Sequence, residues 1–246
     1  RMVINMEKSV MVDLEKIVCD LRSKEIYRDQ LENIPYEDFG DQILVYKCLE
    51  NEVGENTKKY TVTNAVLDHI GMSKQELHEL AEHNTKRLFP PVIKGIDNYF
   101  LEDAFELEKD PDEKLNLMDG ITKDENIVFL SNSIQRMASC YYIDEAVMGS
   151  VSDYFEDDLI VLADADIASI IPLRNLAAYD FTMSDLNAFL SLNNDQLAKD
   201  EDKIMKEVMI WKKSDKKLVK LTQNDLEKCR NKTESFGIKN NKKRAL

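Results

Sequence analysis

Residues 78–83 read His-Glu-Leu-Ala-Glu-His, one step away from the His-Glu-x-x-His pattern with which a helix binds catalytic zinc. Residues four apart share a helical face and can reach one metal ion, whereas residues five apart are rotated by about 140°. Here the fourth residue after His78 is Glu82, and the second histidine, His83, falls one place later. The inverted motif would need a histidine where Glu79 stands. The segment therefore predicts two i,i+4 pairs on a solvated face, His78 with Glu82 and Glu79 with His83. Such pairs contribute about 0.2–0.5 kcal/mol each.

A second constellation is carboxylic. Asp164 and Asp166 follow an apolar run, and Asp153, Glu156, Asp157 and Asp158 lie just before it. Alternate residues of a strand share a face, so Asp164 and Asp166 could hold Mg²⁺ if another element helped. The chain supplies no Gly-rich phosphate loop and no Walker-type lysine for that purpose. Gly120 does not fit a calcium loop, and there is no Gly-x-Ser-x-Gly. The three histidines all fall within 69–83, which leaves a Ser-His-Asp triad few ways to assemble. No catalytic residue, metal ligand or cofactor is assigned, and the six carboxylates read as a partner-binding surface.

Charge supports that reading. The net charge is −14, but residues 212–246 carry 12 basic and 4 acidic residues. The rest of the chain then holds 21 basic and 43 acidic residues, a net of −22. Such a body attracts a basic protein surface, for example that of a nucleic-acid-binding protein. It repels nucleic acid itself, except through the basic cluster Lys239, Lys242, Lys243 and Arg244. No apolar run is long enough to span a bilayer. The start, RMVINMEKSVM, has no small-residue cleavage site, so a cytoplasmic location is expected. Cys19, Cys48 and Cys140 sit in apolar runs and read as buried free thiols.

The elements that must position these groups alternate. Val10, Leu14, Ile17, Val18 and Leu21 fall on one helical face, which predicts a helix over 10–21. Residues 43–49 and 59–63 predict a hairpin of two strands, with 51–58 as its polar turn. A helix over 64–70 is expected to stop at Gly71, and Ser73 with Glu76 forms a capping box for a helix that Pro90 and Pro91 end. Its buried stripe would be Leu77, Leu80, Ala81 and Leu88. Residues 102–125 read as an acidic exposed excursion. Residues 127–130, 139–143, 159–162 and 167–171 predict strands. Asp144 would cap a helix over 145–155, and Ser184 one over 185–192. Residues 208–211 and 217–221 predict a closing hairpin. The expected class is α+β, with mainly antiparallel sheets and packed helices. The expected organisation is an N-terminal helical segment (1–40), an α+β body (41–221) with a break near 102–125, and a basic flexible tail (222–246).

Asn-Thr-Lys-Arg-Leu-Phe-Pro (84–90), preceded by Met-Ser-Lys-Gln-Glu-Leu-His-Glu-Leu-Ala (72–81), resembles the signature of an uncharacterised family of gut-dwelling Gram-positive bacteria. Members of that group, a domain of unknown function, also have counterparts of Thr-Val-Thr-Asn (61–64), of 127–132, of 141–155 and of 159–172. The similarity spans about residues 15–220, and the 72–90 block is its specific part. Members tend to carry an additional N-terminal region, and a Ser-Ser-x-His-Glu-like step where this chain has Asp-Ala-Asp-Ile-Ala-Ser (164–169). The resemblance implies no activity. It does imply an accessory or defence-related role, since such proteins accompany mobile elements. The sequence thus favours a non-catalytic acidic interaction protein, in its specific form a nucleic-acid mimic that inhibits a host-defence nuclease. The rival is a metal-dependent hydrolase built on Asp164 and Asp166.

Overall fold

A computed structural model describes residues 2–5, 10–50, 58–99, 117–118, 120–132, 137–178, 181–196 and 202–231. Strands β1 (Met2–Asn5) and β2 (Val10–Asp13) pair with each other. They are followed by β3 (Ile17–Ser23), β4 (Tyr36–Phe39), β5 (Gln42–Leu49) and β6 (Lys59–Thr61). Helices α1 (Asn64–Ile70) and α2 (Lys74–Leu88) lead into β7 (Pro91–Gly95), the short α3 (Ile96–Tyr99) and β8 (Val128–Asn132). Helix α4 (Glu145–Phe155) precedes β9 (Leu159–Ala163) and β10 (Ala168–Pro172). Helices α5 (Leu173–Ala178) and α6 (Met183–Gln196), strands β11 (Met209–Lys212) and β12 (Lys217–Lys220), and a helix α7 over 223–231 complete the order. Every strand pairing among the described residues is antiparallel, so the fold is α+β with mainly antiparallel sheets.

The Ile-Leu-Val-Tyr-Lys-Cys-Leu run makes β5 the centre of a four-stranded sheet. β3 lies along its whole length on one side, from Ile17 opposite Cys48 to Ser23 opposite Gln42. β4 and β6 share the other side in succession. A six-stranded sheet runs β12-β11-β9-β10-β8-β7. One large core joins Ile17, Cys19 and Leu21 of β3 and Leu44 and Tyr46 of β5 to Leu77 and Ala81 of α2, Val151 of α4 and the inner side of β9 and β10. The opposite face of β3 and β5 is also buried, with Val18 and Leu49 against Phe89, and Ile43 and Val45 against Tyr27 and Ile34.

That double burial explains the largest departure from the sequence reading. Residues 10–21, expected as a helix, are β2, one 3-10 turn (Leu14–Lys16) and most of β3. A strand covered on both faces needs apolar residues at successive positions, which a helical spacing can mimic. The β-branched Val10, Val12, Ile17 and Val18 favour the extended form. Asp13 fixes the break by accepting a bond from the Glu15 amide at 3.1 Å. Among the described residues of the opening segment, helical turns come only from 3-10 stretches, the longer one being Lys24–Asn33.

Residues 139–143, expected as a strand, form a buried 3-10 turn (Ser139–Tyr142). Its aromatic side chains are used for anchoring: the Tyr141 hydroxyl donates to the carbonyls of Phe89 and Thr85. Thr182, not Ser184, caps α6, through reciprocal bonds with Asp185. The tail expected over 222–246 opens as α7, capped by Thr222 with Asp225 and docked through buried Leu226. Residues 232–246 lie outside the described residues. So do 102–116 and 119 of the expected acidic excursion, whose far end is anchored by buried Met118 and Ile121. The hairpin turn 51–57 is likewise outside them, and β7 had no counterpart in the sequence reading.

The first turn of α2 carries the capping box as expected. The Ser73 hydroxyl accepts from the Glu76 amide at 3.3 Å, and the Glu76 carboxylate accepts from the Ser73 amide at 2.8 Å. Ser73→Ala should cost about 1 kcal/mol, read as a lower urea midpoint at unchanged slope.

Candidate functional site

The six carboxylates of the acidic segment divide between the two ends of β9, five residues or about 16 Å apart. At the first end α4 terminates in Glu156, which takes the left-handed conformation (φ 59°) that closes a helix. Asp157 then caps α5 by accepting from the Arg174 amide at 2.8 Å, and also accepts from the Asp158 amide at 2.9 Å. Burial raises its carboxyl above the usual range, partly countered by those amides. Asp158 accepts from the Lys213 amide at 2.9 Å and pairs with the Lys212 ammonium at 3.1 Å. Lys212 also reaches Asp225 of α7 at 2.7 Å. Asp153 and Glu156 face outward, with side chains 71% and 69% exposed, and pair with Lys213 and Lys123. Glu156, Asp157 and Asp158 line a depression of about 520 Å³ together with Lys212, Lys213, Lys228 and Asp225. Its carboxylates and lysines nearly balance.

At the second end Asp164 and Asp166 stand in the turn between β9 and β10 rather than on a shared strand face. Asp164 accepts from the amides of Asp166 and Ile167 at 2.8 and 2.9 Å, and Asp166 from the Met137 amide at 2.9 Å. Burial raises the Asp164 carboxyl, again partly countered by its amide donors. Four of the six carboxylates thus hold backbone in place, and two point to solvent. Among the described residues no group of three or more His, Cys, Asp and Glu side chains is arranged to hold a metal ion.

The expected His/Glu pairs of α2 take other partners. His78 Nδ1 lies 3.2 Å from the Tyr46 hydroxyl, Glu82 pairs with Lys86 at 2.7 Å, and Glu79 accepts from Gln75 at 2.8 Å.

The most heavily charged buried feature had no place in the sequence reading. Asp20, with a fully buried side chain, sits on the second face of β3 beside Arg22 Nε at 2.9 Å and Lys59 Nζ at 3.4 Å. Arg22 continues to Asp202 at 3.2 Å. Lys47 of β5, across from Val18, gives its ammonium to the Tyr27 hydroxyl at 2.6 Å and to Thr61 Oγ1 at 2.7 Å. Burial alone would raise the Asp20 carboxyl, but the charges of Arg22, Lys59 and Lys47 outweigh it and hold it below the usual range. Burial pulls the Lys59 ammonium down, so Arg22 is the principal partner. The signal was the alternation Asp20-x-Arg22 within an apolar run, legible only once that run is a strand.

Among the described residues no helix is long and apolar enough to cross a membrane. A family model described as a family of unknown function (DUF5688) matches residues 5–213. No curated protein and no solved structure matches the chain.

Proposed function

Since the chain belongs to the DUF5688 family, whose function is unknown, we propose from its own charge and geometry that it is a non-catalytic interaction protein that docks a basic partner. The carrying observation is the net of −22 outside residues 212–246. Asp153 and Glu156 support the reading at the surface. Their ion pairs with Lys213 and Lys123 are solvent-exposed, and exposed pairs contribute about 0–1 kcal/mol. A partner's lysine or arginine can replace them at little cost. Asp157 and Asp158 serve by shaping the segment that presents those two, and Asp164 and Asp166 by holding the turn at the far end of β9.

The specific form of the proposal is a mimic of nucleic acid, encoded on a mobile element, that occupies the polyanion groove of a defence nuclease. Like-signed clusters speed encounter with an oppositely charged surface, and salt screens them with a Debye length of about 10 Å at 0.1 M. The immobilised chain should therefore retain a partner from lysate at about 0.05 M salt and release it at about 0.5 M. Duplex DNA should elute the same partner. A partner whose retention ignores salt, or no partner at all, would overturn the proposal.

A further inference from the structure

We propose that a cavity between α2 and the start of α4 binds a small molecule that joins one aromatic ring or short aliphatic body to a cationic amine. The cavity holds about 200 Å³, on the scale of the roughly 150 Å³ dry cavities that accept benzene. Its floor is apolar: Cys19 from β3, Leu44 from β5, and Cys140 and Ile143 from the 3-10 turn and its exit. Burial pushes the Cys19 thiol up to about 12 and the Cys140 thiol well above its ordinary value. Both thiols therefore stay protonated near neutrality and behave as small hydrophobes.

The mouth has a different chemistry. Glu82 from α2 faces Asp144 and Glu145 at the start of α4, and Lys86 stands between the first two, its ammonium 2.7 Å from each carboxylate. Two of the three carboxylates, Glu82 and Asp144, share Lys86, and Asp144 also accepts from the Ala146 and Val147 amides through its other oxygen; the third, Glu145, meets Lys216 at 3.6 Å from the solvent side. This rim already holds one ammonium in good geometry and retains negative charge for a second. Phe39, 43% exposed, lines the same mouth and supplies an aromatic ring of the kind that attracts a cation. His78 also lines it. Its Nδ1 is engaged by Tyr46, and its other ring nitrogen has no protein partner among the described residues, which leaves it for a polar group of the ligand. An apolar floor with a few convergent polar groups is the general form of a small-molecule site. This site does not depend on the docking of a basic partner.

The test uses the full chain and three probes of one shape: 2-phenylethylamine, 2-phenylethanol and 3-phenylpropionate, titrated by calorimetry and by amide chemical shifts. The amine should bind about tenfold tighter than the alcohol, the advantage of one charge-assisted bond, and the acid most weakly. Glu82→Gln should erase most of that advantage and leave the alcohol unchanged. Ile143→Trp should block all three; Phe39→Ala, at an exposed position, gives the same test by a lower amine affinity should the tryptophan variant misfold. Equal binding of amine and acid, no amine binding at millimolar concentration, or amine binding that survives both Glu82→Gln and Phe39→Ala would overturn the proposal.

Discussion

Asp20→Asn should destabilise the chain by about 3–5 kcal/mol, the cost of leaving buried cations without their countercharge. Asp20 has no exposed surface, and its carboxylate is the shared partner of Arg22 and Lys59, with Lys47 nearby. Asparagine keeps the shape but removes the buried countercharge beside Arg22, whose contact with Asp202 is to a carboxylate 29% exposed. Since whole domains are stable by about 5–15 kcal/mol, the loss should show as a large drop in urea midpoint. The pair as such is not expected to stabilise much, because desolvation offsets the attraction. The double change Asp20→Leu with Arg22→Met should therefore cost less than Asp20→Asn alone. A double variant less stable than the single one would contradict this account. The same carboxylate fixes the acid response. Its folded-state value lies below the unfolded one, so the stabilisation is complete above about pH 4 and is lost as pH falls through the folded value. Wild-type stability should fall steeply below pH 4, and Asp20→Asn should flatten that slope.

Trp211→Ala should cost a further 3–5 kcal/mol, about as much as any large core truncation. Trp211 is 2% exposed on β11, opposite Leu218 of β12 and Leu159 of β9. Its indole nitrogen finds no acceptor among the described residues, so the residue stabilises by volume and not by a bond. Trp211→Phe should accordingly cost less than about 1.5 kcal/mol, since it removes an unpaired donor along with some area. Circular dichroism on heating resolves the two, and equal losses would mean that the indole N–H carries weight. This is the chain's one tryptophan, so wild-type emission reports the same transition independently.

Local chemistry was legible wherever a short signal acts alone. The Gly71 stop, the Ser73–Glu76 box, the Asp144 cap and the two hairpins stand where the sequence places them. Legibility failed where tertiary context reverses a local preference. The run Val10–Leu21 has helical spacing because both faces of β3 are covered, and Ser139–Tyr142 has strand composition because its tyrosines anchor a tight turn. The acidic segment was found, but its division was not. Asp164 takes amides two and three residues on, but the amides that hold Asp157, Asp158 and Asp166 come also from α5, Lys213 and Met137, turned toward them only by the fold. The Asp20 cluster was hidden by the same error that made β3 a helix.

The central claim, that negative charge brings the chain to a basic partner, is tested most directly by the association rate of the purified pair against ionic strength. Between about 0.05 and 0.5 M salt the rate constant should fall by about 10- to 1000-fold with the dissociation rate little changed. The paired change Asp153→Asn with Glu156→Gln should lower the starting rate and flatten the slope. An association rate that does not respond to salt, or that the paired change leaves untouched, would contradict the claim.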